Sequence, residues 1–135
     1  MDIAQNKPTI VVVDDSAAVR DFFEKVAQSL AIDLKVFVSA ADALPYLKAN
    51  QPSLLFLDII MPDKDGLTFL QELRHDERHE NTPTVVISSK DYAQDRIAAK
   101  ELGVLEFVAK PMSTKTISDL ITQFTGVKTG VASNE

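Results

Sequence analysis

The 135-residue sequence contains no cysteine and no tryptophan, has only four glycines, and lacks any apolar run of membrane-spanning length. Without cysteine, disulfide bonds and thiolate chemistry are excluded, which suits a reducing compartment. Residues 1–7 are polar and offer no apolar core for a signal peptide. The formal net charge is −6 and no basic stripe is present, so direct contact with nucleic acid is not expected. These absences predict a soluble cytoplasmic protein without a membrane or nucleic-acid partner.

The residues that are present suit one compact domain. Hydrophobic residues make up 45% of the chain, and a domain of this size buries roughly two-thirds of the surface that its unfolded chain exposes. We expect an N-terminal tail over residues 1–8 and a single folded domain over residues 9–125. The polar residues 126–135 are expected to form a disordered tail or the start of a linker.

Five short apolar runs alternate with segments whose apolar residues recur at helical spacing. The runs typical of buried strands cover residues 9–13, 34–38, 54–57, 83–87 and 104–109. This alternation predicts an α/β fold in which a parallel sheet lies between two layers of helices, a doubly wound (βα)5 three-layer sandwich. Right-handed crossovers and short connections then favour the strand order 2-1-3-4-5.

Local signals also predict where helices begin and end. The residues suited to begin helices are Ser39, Asp65 and Ser113. Pro45 removes a backbone donor and should kink or shorten the second helix. The fourth helix is predicted over residues 92–102, with Gly103 as its left-handed terminator. The side chains expected to face the core from this helix are Ile97, Ala98 and Leu102.

Two histidines, His75 and His79, lie four residues apart in a strongly charged stretch. That spacing could hold a metal ion on one face of a helix. The surrounding charges instead favour an exposed surface loop, and we expect these histidines to bind no metal.

Polar residues end four of the five predicted strands. Asp14 and Asp15 follow the first strand, and Asp58 ends the third. In the order 2-1-3-4-5 these two strands are neighbours at the switch point, where α/β sheets bind ligands. Ser88 and Lys110 end the fourth and fifth strands and reach the same edge. We therefore expect these side chains to form one cluster.

The chemistry of this cluster follows from its charges. Taken singly, each residue has an ordinary structural role, as a helix cap, a strand end or a surface charge. Taken together, adjacent carboxylates repel one another unless one is protonated or a cation lies between them. An anionic, all-oxygen site that is open to solvent favours Mg²⁺. A lysine and a hydroxyl beside it would bind an anion, so the pattern indicates a phosphoryl site with a carboxylate nucleophile.

The same motifs resemble those of a known family. An acidic pair after the first strand, Asp58 followed by Met-Pro and Asp-Gly, Ser88 after the fourth strand and Lys110-Pro111 after the fifth look like the receiver domain of bacterial two-component response regulators. The resemblance covers residues 9–124 and is to the single-domain, chemotaxis-regulator-like type. It implies a flavodoxin-like fold, for which the strand order 2-1-3-4-5 is the common one.

The resemblance implies a role for each site residue. Asp58 would accept a phosphoryl group from the phosphohistidine of a sensor histidine kinase or a histidine phosphotransfer protein. Asp15 and Asp58 would bind Mg²⁺ directly, together with the backbone carbonyl of Ile60. Asp14 would hold the ion through water, and Lys110 would pair with the phosphoryl oxygens.

The resemblance also implies a conformational switch. Ser88 would move toward an attached phosphoryl group, and Phe107 would turn into the space that Ser88 leaves. This movement would remodel the surface of the fourth helix, fifth strand and fifth helix, where an unidentified downstream protein or a second phosphorylated copy would bind. The Lys110-Pro111 peptide bond is expected to be cis. Such a chain is a signalling domain that promotes its own phosphotransfer and dephosphorylation, not an enzyme with a separate substrate.

Other classes of protein share parts of this pattern. A haloacid-dehalogenase-type phosphatase also uses an aspartate nucleophile with Mg²⁺. In that class the strand is followed by the pattern Asp-x-Asp, whereas here Ile60 lies two residues beyond Asp58. A flavin-binding electron carrier needs a loop rich in Ser, Thr and Gly after the first strand, which residues 14–18 do not form. A phosphorylation-independent interaction module of the same fold is the remaining alternative, which the complete set of acids disfavours.

Overall fold

The computed structural model describes residues 7–127, in which five strands and five α-helices alternate along the chain. The strands are β1 (Thr9–Val13), β2 (Asp33–Phe37), β3 (Leu54–Asp58), β4 (Thr84–Ser88) and β5 (Glu106–Ala109). The helices are α1 (Ala17–Gln28), α2 (Ala40–Ala49), α3 (Gly66–Arg74), α4 (Ala93–Glu101) and α5 (Thr114–Thr125), with a short 3₁₀ helix at Glu77–His79 between α3 and β4.

All five strands are parallel and form one sheet in the order β2-β1-β3-β4-β5. The predicted topology is therefore confirmed. Val13, the last residue of β1, pairs with Phe37 on one side and with Leu57 on the other. Because the order of the strands reverses between β1 and β3, the connections after these two strands leave in opposite directions and open a crevice between them.

Side chains alternate between the two faces of the sheet and build a core on each. The strand residues that pack against α1 and α5 are Ile10, Val12, Leu54, Phe56, Val85 and Ile87. Those that pack on the opposite face, against α2, α3 and α4, are Val11, Val13, Leu55, Leu57 and Val86. Both β3 and β4 are buried along their whole length, as their continuous apolar runs predict.

Short polar side chains begin four of the helices, α1, α2, α3 and α5. The capping residues are Ser16, Ser39, Asp65 and Ser113. Each side-chain oxygen accepts a hydrogen bond from a backbone N–H two or three residues farther on, which satisfies a donor that lacks an intrahelical partner. Since Ser16 caps α1, neither Asp14 nor Asp15 is needed in that role.

The orientation of α4 differs from the prediction. Ile97 was expected to face the core, but it is 60% exposed and Ala99 is buried instead. A helix with few large apolar residues has a weak amphipathic pattern, so spacing alone does not determine which face it buries. The predicted end of the helix is confirmed, because Gly103 adopts a left-handed conformation with φ of 79°.

The prediction that both histidines lie in a surface loop is wrong for His79. His75 is exposed, whereas His79 lies in the 3₁₀ helix and is fully buried. Its Nδ1 is 2.8 Å from Thr82 Oγ1, and its Nε2 is 2.5 Å from the carbonyl oxygen of Leu47. Since a carbonyl can only accept, Nε2 carries a proton and donates it. The imidazole thus joins the 3₁₀ helix to α2.

Two further predictions need correction. The strand β5 begins at Glu106, two residues later than predicted, because the N–H of Val104 instead donates to the carbonyl oxygen of Ala99 at 3.0 Å and closes the end of α4. Pro45 was predicted to kink or shorten α2, and the helix is not shortened, since it continues through Pro45 to Ala49. Buried Leu47, beyond the proline, keeps the last turn against the sheet.

The predicted tails, residues 1–8 and 126–135, lie mostly outside the described residues. Within them, Gly126 ends α5 in a left-handed conformation with φ of 78°. The limits of the folded domain, residues 9–125, stay a prediction. Between residues 7 and 127, no helix is long and apolar enough to cross a membrane.

The buried imidazole yields a prediction about stability. We expect His79→Ala to lower the free energy of unfolding by about 2 to 4 kcal/mol, because it leaves a cavity and unpaired polar partners in the core. His75→Ala is the matched control and should change this free energy by less than about 0.5 kcal/mol, because His75 is exposed. Urea denaturation followed by circular dichroism measures both, and equal effects would contradict the structural role of His79.

Candidate functional site

Asp58 ends β3 at the carboxyl edge of the sheet, next to the end of β1. It is a carboxylate, yet it is only 2% exposed, and Asp14 after β1 is fully buried. Lys110 follows β5, and its Nζ lies 2.9 Å from Asp14 Oδ2 and 3.4 Å from Asp58 Oδ1. A single ammonium group therefore bridges two buried carboxylates, one directly after β1 and one at the end of β3.

Asp15 completes an acidic cluster with Asp14 and Asp58. Each residue offers one carboxylate oxygen, and these oxygens lie within 4.8 Å of one another. Asp15 is exposed, so the cluster is open to solvent on that side. Among the described residues, no donor meets Asp14 Oδ2 with hydrogen-bond geometry, although the Lys110 ammonium is close to it. A buried anionic oxygen without an aligned donor, beside two further carboxylates, fits a divalent cation that prefers oxygen ligands.

The environment of Asp58 favours its neutral form. The pKa of Asp58 is raised from 3.8 to about 6, chiefly by burial and further by the negative charge of Asp14. Lys110 and the backbone N–H of Ile60 lower the pKa but do not cancel these effects. At neutral pH the ionised carboxylate is therefore held at a cost in free energy, which a further cation in the cluster would reduce.

Lys110 keeps its charge although it is partly buried. Burial acts to lower the pKa of Lys110, but the close contact with the Asp14 carboxylate and the negative charges of Asp14 and Asp58 outweigh burial and raise it. The backbone N–H of Lys110 donates to the carbonyl oxygen of Ser88 at 2.8 Å, which fixes the lysine at the sheet edge. The Lys110-Pro111 peptide bond is cis, as expected.

Ser88 and Phe107 lie on the same face of the sheet. Ser88 ends β4 with a fully buried side chain, and its Oγ accepts a hydrogen bond from the N–H of Lys90 at 3.1 Å. Phe107 is partly buried on β5 and pairs with Val86. Because residues two apart on a strand share a face, Ser88 and its diagonal neighbour Phe107 lie on one side of the sheet.

Gly66, the first residue of α3, lies against the backbone of Asp58. A β-carbon at this position would be 2.0 Å from the carbonyl oxygen of Asp58. The N–H of Gly66 donates to the carbonyl oxygen of Ile59 at 2.7 Å. The missing side chain thus lets α3 begin directly against the segment that carries Asp58. From the sequence Gly66 is recognisable only as part of a turn, although its place after the helix cap Asp65 is a usable signal.

Arg20 is a second residue whose part in the site is not evident from the sequence. It extends from α1, and its Nη1 donates to the carbonyl oxygen of Asp14 at 2.9 Å. In the sequence Arg20 belongs to the polar face of a helix, and no local pattern indicates that it reaches back to β1. This hydrogen bond holds the segment that carries Asp14 and Asp15.

The fold and the site define a class of protein, the α/β domains that gather acidic residues and a lysine at the switch point of a 2-1-3-4-5 sheet. The chain belongs to the response regulator receiver domain family, whose family model matches residues 10–122. It is therefore homologous to phosphorylation-activated response regulators of two-component systems.

Individual relatives support this assignment. The chain is 36% identical over 110 residues to the cyclic di-GMP phosphodiesterase response regulator RpfG of Xanthomonas campestris pv. campestris, a match that covers 80% of this chain and 29% of that protein. It is 31% identical over 115 residues to the response regulator Rre1 of Synechocystis sp., which covers 84% of this chain and 49% of that protein. The chain thus spans less than half of the length of these two curated relatives.

Solved structures share the fold. The chemotaxis response regulator CheY4 of Vibrio cholerae matches with a TM-score of 0.81 at 18% identity, covering 87% of this chain and 98% of that one. At this level of identity the similarity supports the flavodoxin-like fold alone.

The close approach of α3 to Asp58 leads to a second prediction. Gly66→Ala should lower the free energy of unfolding by about 3 kcal/mol or more, because the added carbon overlaps backbone atoms that cannot rotate away. Gly103→Ala is the control: its left-handed backbone costs about 1 to 2 kcal/mol, but the added carbon enters open space. Guanidinium denaturation compares the two variants, and a smaller loss for Gly66→Ala would contradict the steric explanation.

The raised pKa of Asp58 leads to a third prediction. The folded state binds this proton more tightly than the unfolded state, so stability falls as pH rises from 3.8 through about 6. At pH 7.5 without divalent cations, Asp58→Asn should raise the free energy of unfolding by about 1 to 2 kcal/mol. The gain should shrink below about pH 4, where aspartate is protonated in both states. Asp63→Asn, which alters an exposed carboxylate nearby, should give no such gain in denaturation measurements.

Proposed function

We propose that this chain is a phosphorylation-activated switch in which Asp58 receives the phosphoryl group. The observation that carries the proposal is the position of Asp58, a buried carboxylate with Lys110 Nζ at 3.4 Å and with the oxygens of Asp14 and Asp15 close by. Membership of the receiver family supports a phosphohistidine donor, carried by a sensor histidine kinase or a histidine phosphotransfer protein.

The transfer requires an in-line displacement at phosphorus. A carboxylate oxygen of Asp58 attacks the phosphorus atom, and the bond between phosphorus and the donor imidazole nitrogen breaks. The electron pair of that bond stays on the imidazole nitrogen, which takes up a proton. The products are an acyl phosphate on Asp58 and a free histidine on the donor. Lys110, next to the attacking oxygen, stabilises negative charge on the phosphoryl oxygens.

The acidic cluster suits Mg²⁺, because a small hard cation with several retained waters fits carboxylates that are open to solvent on one side. We propose that Asp14, Asp15, Asp58 and the backbone carbonyl of Ile60 would hold the Mg²⁺ ion. Bound there, the ion supplies positive charge for the phosphoryl oxygens and relieves the repulsion among the carboxylates.

We propose that Ser88 and Phe107 transmit the phosphorylated state. In the resting structure the Ser88 hydroxyl accepts from the N–H of Lys90, and a phosphoryl oxygen offers it a new partner toward Asp58. When Ser88 moves, Phe107 can turn into the space that it leaves. The changed surface of α4, β5 and α5 is then the proposed binding site for a downstream protein or for a second phosphorylated copy.

We propose that the chain catalyses only its own phosphotransfer and dephosphorylation and has no separate substrate. Membership of the receiver family supports a signalling role. The name of RpfG includes a phosphodiesterase activity, but the match to this chain covers only 29% of that protein. A cytoplasmic setting, in which sensor kinases present their phosphohistidine, suits a chain without cysteine.

Phosphorylation by a small donor tests the role of Asp58. With acetyl phosphate and Mg²⁺, the wild-type chain should gain the mass of one phosphoryl group, measured by intact-protein mass spectrometry. Asp58→Asn should gain none, because an amide is not a nucleophile, and Asp63→Asn should react like the wild type. Chelation of Mg²⁺ should slow the reaction at least about tenfold. Modification of Asp58→Asn at the wild-type rate would contradict the assignment.

The lifetime of the acyl phosphate gives a further prediction. Ile60, two residues beyond Asp58, has an apolar side chain that is 49% exposed, and an apolar group cannot orient an attacking water molecule. We propose slow self-dephosphorylation for this reason. Ile60→Asn should shorten the lifetime several-fold, while Ile60→Leu should leave it unchanged, as followed by decay of the phosphorylated mass. Equal lifetimes for the wild type and Ile60→Asn would remove the basis of this proposal.

A further inference from the structure

Arg96, on α4, lies over the ring of Phe107, which is partly buried on β5. The Cζ atom of Arg96 lies 4.5 Å from the centre of the Phe107 ring, within the range of a cation–π contact. The same guanidinium forms a bidentate pair with the carboxylate of Asp91. Its Nε is 2.5 Å from Oδ1 and its Nη2 is 3.1 Å from Oδ2. The hydrogen bonds that Arg96 donates to Asp91 raise the pKa of Arg96, so the guanidinium remains charged.

The ion pair between Arg96 and Asp91 fixes the position of the guanidinium but adds little to the free energy of unfolding. Both side chains are about half exposed, and exposed ion pairs contribute little to the free energy of unfolding. A bidentate pair does, however, fix the plane and place of the guanidinium. Here that place is above the ring of Phe107.

Asp91 lies directly after the residue that is hydrogen-bonded to Ser88. Ser88 Oγ accepts from the backbone N–H of Lys90, and Asp91 is the next residue in the chain. In the proposed switch, Ser88 would give up this hydrogen bond when it turns toward a phosphoryl group. The carboxylate that pairs with Arg96 is one residue from the hydrogen bond that this movement would break.

We propose that Asp91 and Arg96 are positioning residues that latch the Phe107 ring in its resting orientation. The inference rests on the proposed function of Asp58, Ser88 and Phe107, and it adds what holds the switch in its resting state. An inward turn of the ring takes its face away from the guanidinium, so the contact belongs to the resting state alone. A contact made in only one of two states shifts the equilibrium toward that state.

The size of the effect follows from the strength of such a contact. An exposed cation–π contact changes an equilibrium constant about two- to fivefold. Its removal should raise the active fraction of unphosphorylated molecules by that factor, and with it the apparent affinity for a ligand that binds the active form. Beryllofluoride with Mg²⁺ imitates a phosphoryl group on a carboxylate and serves as this ligand.

For a variant that lacks the Arg96 charge, electrostatic attraction alone predicts weaker, not tighter, binding of beryllofluoride. Removal of a positive charge from a protein weakens its binding of an anion or leaves it unchanged. Tighter binding of beryllofluoride after loss of Arg96 would therefore come from release of Phe107. Lys100, one turn farther along α4, provides a matched control for the charge.

The experiment is a titration of the full chain with beryllofluoride in Mg²⁺, followed by NMR spectroscopy. Arg96→Gln should bind about two- to fivefold more tightly than the wild type, and Asp91→Asn should shift in the same direction by less. Lys100→Gln should bind like the wild type. In a Phe107→Leu background, Arg96→Gln should have no further effect.

In the resting wild type the Phe107 ring current should shift the Arg96 side-chain protons upfield, and beryllofluoride should remove this shift.

A charge-swapped pair separates the ring contact from the ion pair. Asp91→Arg with Arg96→Asp restores an ion pair but places a carboxylate over the negative face of the ring, so it should behave like Arg96→Gln. Wild-type affinity in this swapped variant would overturn the latch, as would equal or weaker binding by Arg96→Gln. Failure of the wild type itself to bind beryllofluoride would instead overturn the role of Asp58 and the latch with it.

Discussion

The burial of like charges at the carboxyl edge of the sheet is the constraint on which the rest of this structure depends. Asp14 and Asp58 are held out of solvent with one lysine between them, and burial outweighs the lysine enough to raise the pKa of Asp58 to about 6. Such burial of like charges lowers the free energy of unfolding unless a bound cation offsets the repulsion or a group is transferred to one of the carboxylates. In the proposed function, the same repulsion that weakens the fold would favour binding of a divalent ion and transfer of a phosphoryl group to Asp58.

The framework around the acids explains how this repulsion is tolerated. Asp58 lies at the end of a strand that is buried along its whole length, so its backbone cannot move away. Arg20 holds the carbonyl oxygen of Asp14, and Gly66 allows α3 to pack against the Asp58 backbone. Strands position Asp58 and Ser88, while the connection after β4 carries Lys90, which donates to Ser88, and Asp91, which pairs with Arg96.

The success of prediction from sequence varied with the kind of signal. Apolar runs that alternate with helical segments identified every strand and the sheet order. The signal is strongest for β1, β3 and β4, because a strand buried on both faces of a parallel sheet needs continuous apolar residues. The acids and the lysine were recognisable because they interrupt those runs at the edge where strands converge. His79 and Ile97 were assigned to the wrong environment, since a charged neighbourhood does not reveal a buried imidazole and a weakly amphipathic helix does not reveal its buried face.

The sequence by itself therefore determined the order of elements, the sheet topology and the identity of the polar residues at the strand ends, because these depend on local periodicity and on a short list of allowed connections. Only the tertiary structure decided that Lys110 bridges Asp14 and Asp58, that Gly66 touches the Asp58 backbone and that Arg96 lies over Phe107. Such contacts join elements that are distant in the chain. Their geometry depends on how each helix is rotated against the sheet, which the packing of the whole core sets and no local pattern records.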